Sequence, residues 1–478
     1  MNTKPIIISG SGLSALMVAR MVRNCLHDET PILFVEQDSK IGGQFRSFDY
    51  GEHGLFDYGM HIYYESCQPE IDTLFTDIFP SSAWNILEGN RKDVAGLFVN
   101  GRLQVDTPYI DLRNGNQDFQ KKCIGELLLH IQKIVEGNET SSLVRQRSAY
   151  EVTCEQFGKF ITDEILVPVF EKLYQSHPAL LDEIATHLTT INRLAMFDPK
   201  MSLELMRSDA MRARICYPDQ LNLPPLRTNA QRGFYPKTYG MVHVINRFQQ
   251  ILEKNNTKFL TSSKIVSLEL EGKKIRSVKI DSVEHGQMEV EVDRLYWTAG
   301  LPPLAKLMEI DMGDRQSDRN NKDIYYVNFL FETKPEMGEL YYFYCFDPGF
   351  RTFRVTNFAN YCPQAVRHTG NPLCVEMWLP SGDPTDLDEI VEMTRNELIR
   401  FGVVDDTNRV VFARAEKVAA GGFPLPSLNN ISYLETARDR IEAREVSNLE
   451  IFGVYSAKNT FFIKDILTDA YRKILQKI

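Results

Sequence analysis

The stretch that decides the fold is Ile6-Ile7-Ile8-Ser9-Gly10-Ser11-Gly12-Leu13-Ser14-Ala15-Leu16-Met17-Val18-Ala19-Arg20-Met21-Val22-Arg23. Its first three residues are β-branched and uncharged, suited to a strand buried on both faces. Gly10 to Ala15 follow at once as G-x-G-x-x-A, and residues 16–23 have the composition of a helix. Downstream, Ile32-Leu33-Phe34-Val35 reads as a second buried strand that ends in Glu36, 21 positions after Ala15. Each piece has a task. Gly10 permits a tight turn, Gly12 lets backbone approach a pyrophosphate, and Ala15 lets helix and strand pack closely. The helix start at Leu13 and Ser14 offers N–H groups and the positive end of a dipole to phosphates. Glu36, with Gln37 beside it, can accept hydrogen bonds from an adenosine ribose. G-x-G-x-x-A alone can be no more than a flexible turn. Between a strand and a helix, with an acid at this distance, it predicts a dinucleotide-binding unit.

Working outward, 478 residues at ~100–200 per domain predict two or three structural units. Hydrophobic residues make up 43% and charged residues 25%, which excludes a disordered, collagenous or coiled-coil chain. The net charge of -10 leaves no electrostatic footprint for nucleic acid, while local basic pockets for an anionic small molecule stay open. The 8 cysteines form no C-x-x-C pair and no histidine stands at zinc-finger spacing, so neither a metal nor a disulfide framework is expected. Scattered thiols suit a reducing, cytoplasmic setting. No apolar run reaches ~18 residues, so no transmembrane helix is expected. The apolar N-terminus is not read as a signal peptide, because Pro5 and the glycines interrupt it and Arg20 and Arg23 end it.

Downstream of Glu36 stand Ile41-Gly42-Gly43-Gln44-Phe45-Arg46-Ser47 and Phe56-Asp57-Tyr58-Gly59-Met60-His61-Ile62-Tyr63-Tyr64. Here the sequence resembles the flavoprotein superfamily of amine oxidases, protoporphyrinogen oxidase, phytoene desaturases and UDP-galactopyranose mutase. That family has a G-G-x-x-x-S-like loop and then D-x-G-x-H. The resemblance implies FAD rather than NAD, with Gly42, Gly43 and Arg46 on FAD and Gly59, Met60 and His61 by the flavin. Further matches follow in order. Phe234-Tyr235-Pro236-Lys237-Thr238-Tyr239-Gly240-Met241 is similar to a Y-P-x-x-G-M segment that opens a helix, here about 242–254. Phe259-Leu260-Thr261 and Lys264-Ile265-Val266-Ser267-Leu268 read as strands, and the resemblance gives Val266 a backbone contact to adenine. Leu295-Tyr296-Trp297-Thr298-Ala299-Gly300 resembles a strand ending beside the cofactor. Asn448-Leu449-Glu450-Ile451-Phe452-Gly453 resembles the closing strand, which places Gly453 at the cofactor and a helix at about 464–473.

The expected fold is therefore α/β: a discontinuous Rossmann-like FAD-binding domain, 1–75, 228–305 and 440–478, with an inserted α+β substrate domain, 76–227 and 306–439. The first insert carries a helical stretch at 155–174. The second has strand-like runs at 324–331 and 339–344, and the aromatic run Tyr341-Tyr342-Phe343-Tyr344 is read as core. The charged stretch 314–322 is read as a solvated loop, and Tyr235 as packing.

Several segments lean toward the mutase: His61-Ile62-Tyr63-Tyr64, the hairpin Phe98-Val99-Asn100-Gly101-Arg102-Leu103, Phe423-Pro424-Leu425-Pro426 with Tyr433, and Phe353-Arg354-Val355-Thr356-Asn357 with Glu376. The departures are equally specific. The mutase holds its diphosphate with an Arg just after the closing Gly, where this chain has Val454. Such a loss removes charge-assisted bonds worth ~1.5–3 kcal/mol each. The Asp that amine oxidases carry there is missing too. His61 and Tyr64 are candidate catalytic residues, against the plainer alternative of a buried structural histidine. Arg354 is a candidate substrate contact, against a surface residue on an edge strand. The expected function is an FAD-dependent oxidoreductase moving a hydride from a small-molecule substrate to flavin N5. The alternatives are a non-redox mutase acting on a nucleotide sugar and a flavin-binding protein without catalysis.

Overall fold

Strand β1 (Ile6–Ser9) is buried along its whole length and lies at the centre of a five-stranded sheet. The computed structural model describes residues 3–136, 146–225, 228, 230–315, 317–318, 322–382, 386–418, 425–458 and 460–476. From β1 the chain enters helix α1 (Leu13–Cys25), returns in β2 (Ile32–Val35), and comes back much later as helix α2 (Val242–Glu253) and strand β3 (Thr257–Leu260). A three-stranded antiparallel sheet follows: β4 (Ser263–Glu271), β5 (Lys274–Ser282) and β6 (Gly286–Glu291). Then come β7 (Arg294–Trp297), β8 (Leu449–Ile451) and helix α3 (Ile463–Leu475). The large sheet runs β3-β2-β1-β7-β8, and every pairing is parallel. A parallel sheet needs cover, and helices supply it: α1 packs against α2 and α3. The facing stripes are Val244, Ile245, Phe248 and Leu252 on α2 and Ile466, Leu467, Ala470 and Ile474 on α3, all buried at helical spacing. Burying each large side chain contributes ~1.5–3 kcal/mol.

The chain divides into two compact units, 1–86, 231–317 and 432–478 in one, 87–230 and 318–431 in the other. The first holds the parallel sheet. The second is built on a seven-stranded sheet ordered Val410–Val418, Lys322–Phe331, Asn371–Pro380, Thr352–Asn357, Tyr342–Cys345, Ala95–Val99, Arg102–Gln104. Its pairings are antiparallel except the parallel one between Tyr342–Cys345 and Ala95–Val99. Helix Leu387–Arg400 packs on this sheet, and helix Gln117–Val135 precedes a run of short helices in the same unit. The expected hairpin at 98–103 is present, turning at Asn100 and Gly101, both with positive φ.

The structure corrects four expectations. The strand at 339–344 is only Tyr342–Cys345, because Gly338 has φ +54° and Leu340 N–H bonds Met337 C=O in a turn. The helical stretch at 155–174 is interrupted at Gly158, whose φ of +82° ends the first helix against His130. In the segment 314–322, residues 316 and 319–321 lie outside the described residues; Asp314, Arg315, Ser317 and Asp318 are exposed, as in a solvated loop, and Lys322 is the departure. Asp318 bonds Ser427 and Asn429, and Lys322 is buried, with its ammonium on Leu173 C=O and 5.4 Å from the Trp378 ring centre. Burial and the neighbouring Lys172 hold the Lys322 pKa down at about 7. Lastly, strand Thr352–Asn357 is internal to its sheet, so Arg354 is not on an edge. Of the mutase-like segment at 423–426, Phe423 and Pro424 lie outside the described residues.

Candidate functional site

Three glycines and a threonine shape the ends of the central strands. Gly10 leaves β1 with φ +86°, and a Cβ there would stand 2.8 Å from Thr298 Oγ1. Thr298, just past β7, hydrogen-bonds Ser9 C=O. Gly453, just past β8, has φ +110°, and a Cβ there would stand 3.7 Å from Thr298 C=O. Gly12 is the N-cap of α1 in extended conformation, no side chain caps the helix, and no acid stands in its first turn. The first-turn N–H groups of Leu13 and Ser14 therefore have no side-chain acceptor there. A Cβ on Gly12 would meet nothing within 4 Å. Ala15, by contrast, is fully buried against the sheet.

A second glycine loop closes over this cradle. Gly42 N–H donates to Ser11 C=O at 3.1 Å, and Gly42 pairs with Gly12 in a parallel bridge. A Cβ on Gly42 would stand 3.0 Å from Ile245 of α2, and one on Gly43 would stand 3.2 Å from Gly12 Cα. Both positions have positive φ, so two conditions demand glycine there. Arg46 Nε donates to Gly43 C=O at 2.9 Å, and its Nη2 pairs with Asp38 at 2.7 Å. Glu36 follows β2 and accepts from Ser11 Oγ at 2.5 Å and from Asp38 N–H at 2.9 Å. Gln37 next to it is exposed. Val266 is the unmatched residue of a bulge in β4 and is 37% exposed. The backbone thus brings together Gly10, Gly12, Leu13, Ser14, Glu36, Gly42, Gly43 and Gly453. An open, glycine-walled groove at an uncapped helix N-terminus fits a pyrophosphate.

The remaining candidates lie on the 57–61 turn and beyond. Gly59 has φ +77° and its N–H reaches Asp57 C=O at 2.7 Å. Met60 and His61 are half-buried. The His61 ring is 5.1 Å from that of Phe45 on the second glycine loop, while Tyr64 sits in a short strand paired with Gly233. What the sequence reading missed is Asp57 itself. It is fully buried. Its Oδ1 accepts from Ser47 Oγ at 2.5 Å and Met241 N–H at 3.0 Å, and its Oδ2 from Tyr235 Oη at 2.5 Å. Tyr235 Oη in turn accepts from Gly240 N–H at 3.1 Å, and Asp57 N–H donates to Tyr239 Oη at 3.3 Å. Tyr235 is therefore more than packing. Burial pushes the Asp57 carboxyl up to about 6, against the three donors that favour the ionised form. A pKa raised on folding stabilises the fold below the ordinary carboxylate value, and that contribution is lost as pH rises through about 6. Going from 3.8 to about 6 amounts to roughly 3 kcal/mol.

In the second unit, Arg354 and Glu376 face each other across neighbouring strands and form two parallel hydrogen bonds, Nε to Oε1 at 2.5 Å and Nη2 to Oε2 at 2.9 Å. Their side chains are 14% and 5% exposed. The guanidinium also lies 5.7–5.9 Å from the ring centres of Tyr342, Tyr344 and Phe353. Burial alone would lower the Arg354 pKa, but Glu376 holds it well above the usual value. The pair is a fixed, charged fork on an aromatic wall.

Residues 8–78 match the NAD(P)-binding Rossmann-like domain family. No curated protein sequence is similar enough to match. Among solved structures, the fold is similar to that of a reduced UDP-galactopyranose mutase, with TM-score 0.72 and 16% identity over 99% of this chain and 93% of that one. It is also similar to a protein from Pyrococcus furiosus, TM-score 0.56, 16% identity, 99% and 97% covered. An oxidoreductase from Methanosarcina mazei gives TM-score 0.56, 13% identity, 99% and 100% covered. At these identities the likeness is one of fold.

Proposed function

We propose that this chain is an FAD-dependent oxidoreductase acting on a small-molecule substrate, with 1–86, 231–317 and 432–478 as its FAD-binding domain and the other unit as its substrate domain. The observation that carries the reading is the free space at Gly12, at the uncapped start of α1 and beside the Gly42–Gly43 loop. FAD is preferred over a nicotinamide dinucleotide on the resemblance of the Gly42–Gly43 loop and the 57–61 segment to those of the flavoproteins. A bound FAD supplies a hydride acceptor. The protein's residues do the rest. Gly12, Leu13 and Ser14 receive the pyrophosphate, Glu36 the adenosine ribose, and Arg46 and Gly43 the second loop's side. Gly59, Met60 and His61 set the orientation near the flavin. His61 and Tyr64 are the candidates for proton transfer; Arg354, whose guanidinium is occupied by Glu376, is not assigned to substrate.

The fold shared with the mutase supports a second reading, non-redox chemistry on a nucleotide sugar. Two observations weigh against it. Val454 stands where a cation is needed for a diphosphate, and the Arg354 guanidinium is already paired with Glu376. UDP and UDP-galactose are therefore expected to bind weakly or not at all when titrated against oxidised and dithionite-reduced protein, followed by flavin fluorescence. A small reductant substrate should instead bleach the oxidised flavin. Micromolar UDP-sugar binding that tightens on reduction, with ring-contracted product and no net electron use, would reverse the ranking.

A further inference from the structure

We infer that Asp57 is the positioning residue of the dinucleotide site, the side chain that ties its three backbone segments into one cradle; this rests on the FAD reading above. Three segments meet at its carboxylate. Ser47 brings in the loop that carries Gly42, Gly43 and Arg46. Its own chain runs on into Gly59, Met60 and His61. Tyr235 and the Met241 N–H bring in the start of α2, the helix whose Ile245 lies against Gly42. The same contact is fixed twice more, through Tyr239 to Asp57 N–H and through Gly240 N–H to Tyr235. The fit around Gly240 is close, since a Cβ there would stand 3.0 Å from Leu55 and 3.5 Å from Ser47 Oγ.

The electrostatics point the same way. Among the described residues no lysine or arginine pairs with Asp57. The titratable groups near it on the elements that pack around it are Tyr235 and Tyr239, from the segment before α2, and His243 in the first turn of α2, whose pKa burial lowers. A buried carboxylate without a counter-ion weakens the fold at neutral pH, where an amide of the same shape would not carry that penalty. Side chains that cost stability are tolerated where a site needs them. Three donors converging on one ionised acceptor hold the loop, the turn and the helix start at fixed spacing, which a ligand lying along all three requires.

The test is Asp57→Asn, measured both without cofactor and by FAD titration. The cofactor-free variant should unfold at pH 8 at the same temperature as wild type or higher. Its FAD Kd should rise about ten- to a hundredfold, the range for one or two lost charge-assisted bonds, and the visible circular dichroism of its bound flavin should change. Tyr235→Phe should shift the Kd the same way by less. Ser47→Ala, which keeps the carboxylate and removes one donor, should do likewise. Affinity lost while stability is kept or gained separates positioning from a merely structural role. Wild-type affinity and dichroism in Asp57→Asn, or stability and affinity lost together, would overturn the inference alone. Wild-type protein that takes up no FAD would overturn it together with the reading it rests on.

Discussion

Gly12→Val is expected to abolish FAD binding and leave the protein itself folded. The argument turns on what surrounds this position. Gly12 has φ -66° and ψ 173°, a conformation any residue adopts, and its Cβ would meet no protein atom within 4 Å. The added side chain therefore occupies space that no protein atom fills and that the proposed function assigns to a pyrophosphate. The neighbouring glycines behave differently. At Gly10, Gly42 and Gly43, positive φ and contacts of 2.8–3.2 Å mean that a side chain would strain the protein before any ligand arrives. Gly12→Val is thus the informative variant: the cofactor-free melting temperature should stay at its wild-type value while FAD titration shows no saturation. Glu36→Ala should be milder, losing one or two charge-assisted bonds to the ribose at ~1.5–3 kcal/mol each. Equal FAD affinity in Gly12→Val and wild type would show that the motif is only a turn.

Glu376→Ala carries the largest expected effect on stability. Removing one member of a buried, doubly hydrogen-bonded ion pair leaves the other charge without a partner, a loss of about 3–5 kcal/mol. Arg354 then keeps its aromatic neighbours Tyr342, Tyr344 and Phe353, whose cation–π attraction at ~0.5–2 kcal/mol offsets only part of that loss. Replacing both residues together with leucines should cost less than the two single alanine changes summed, because neither charge is stranded. Urea unfolding, followed by a probe in the second unit, measures this. A loss under about 1 kcal/mol for Glu376→Ala would place the pair in the class of weak surface bridges.

How much of this could be read beforehand depends on how local each feature is. The Gly10–Gly12–Ala15 turn, the strands around it and Glu36 are written within 31 consecutive residues (6 to 36), and both the spacing and the β-branched runs signal them. The Gly42–Gly43 loop is legible through its resemblance to the G-G-x-x-x-S-like loop of the flavoproteins. Asp57 and Tyr235 were in view as motif letters, but their bond joins residues 178 apart, and no local pattern says that a tyrosine beside a proline will end on a buried carboxylate. Ser47 and Asp57 are only ten apart, yet their contact depends on the register of a two-stranded ladder, which a one-residue slip would undo. Arg354 and Glu376 share the same dependence on register, and only the strand order shows that their two strands are internal. Lys322 is not legible as a core residue because a lysine closing a charged run has the composition of a loop. Its burial comes from Tyr174 and Trp378, both far away in sequence.

The central claim, that the Gly12 groove holds FAD, is tested most directly by what the purified protein carries. The chain should emerge yellow, and heat or acid should release intact FAD at about one equivalent per chain, since no covalent attachment motif is present. A colourless protein that FAD cannot reconstitute, or one that takes up a nicotinamide dinucleotide in its place, would contradict the account.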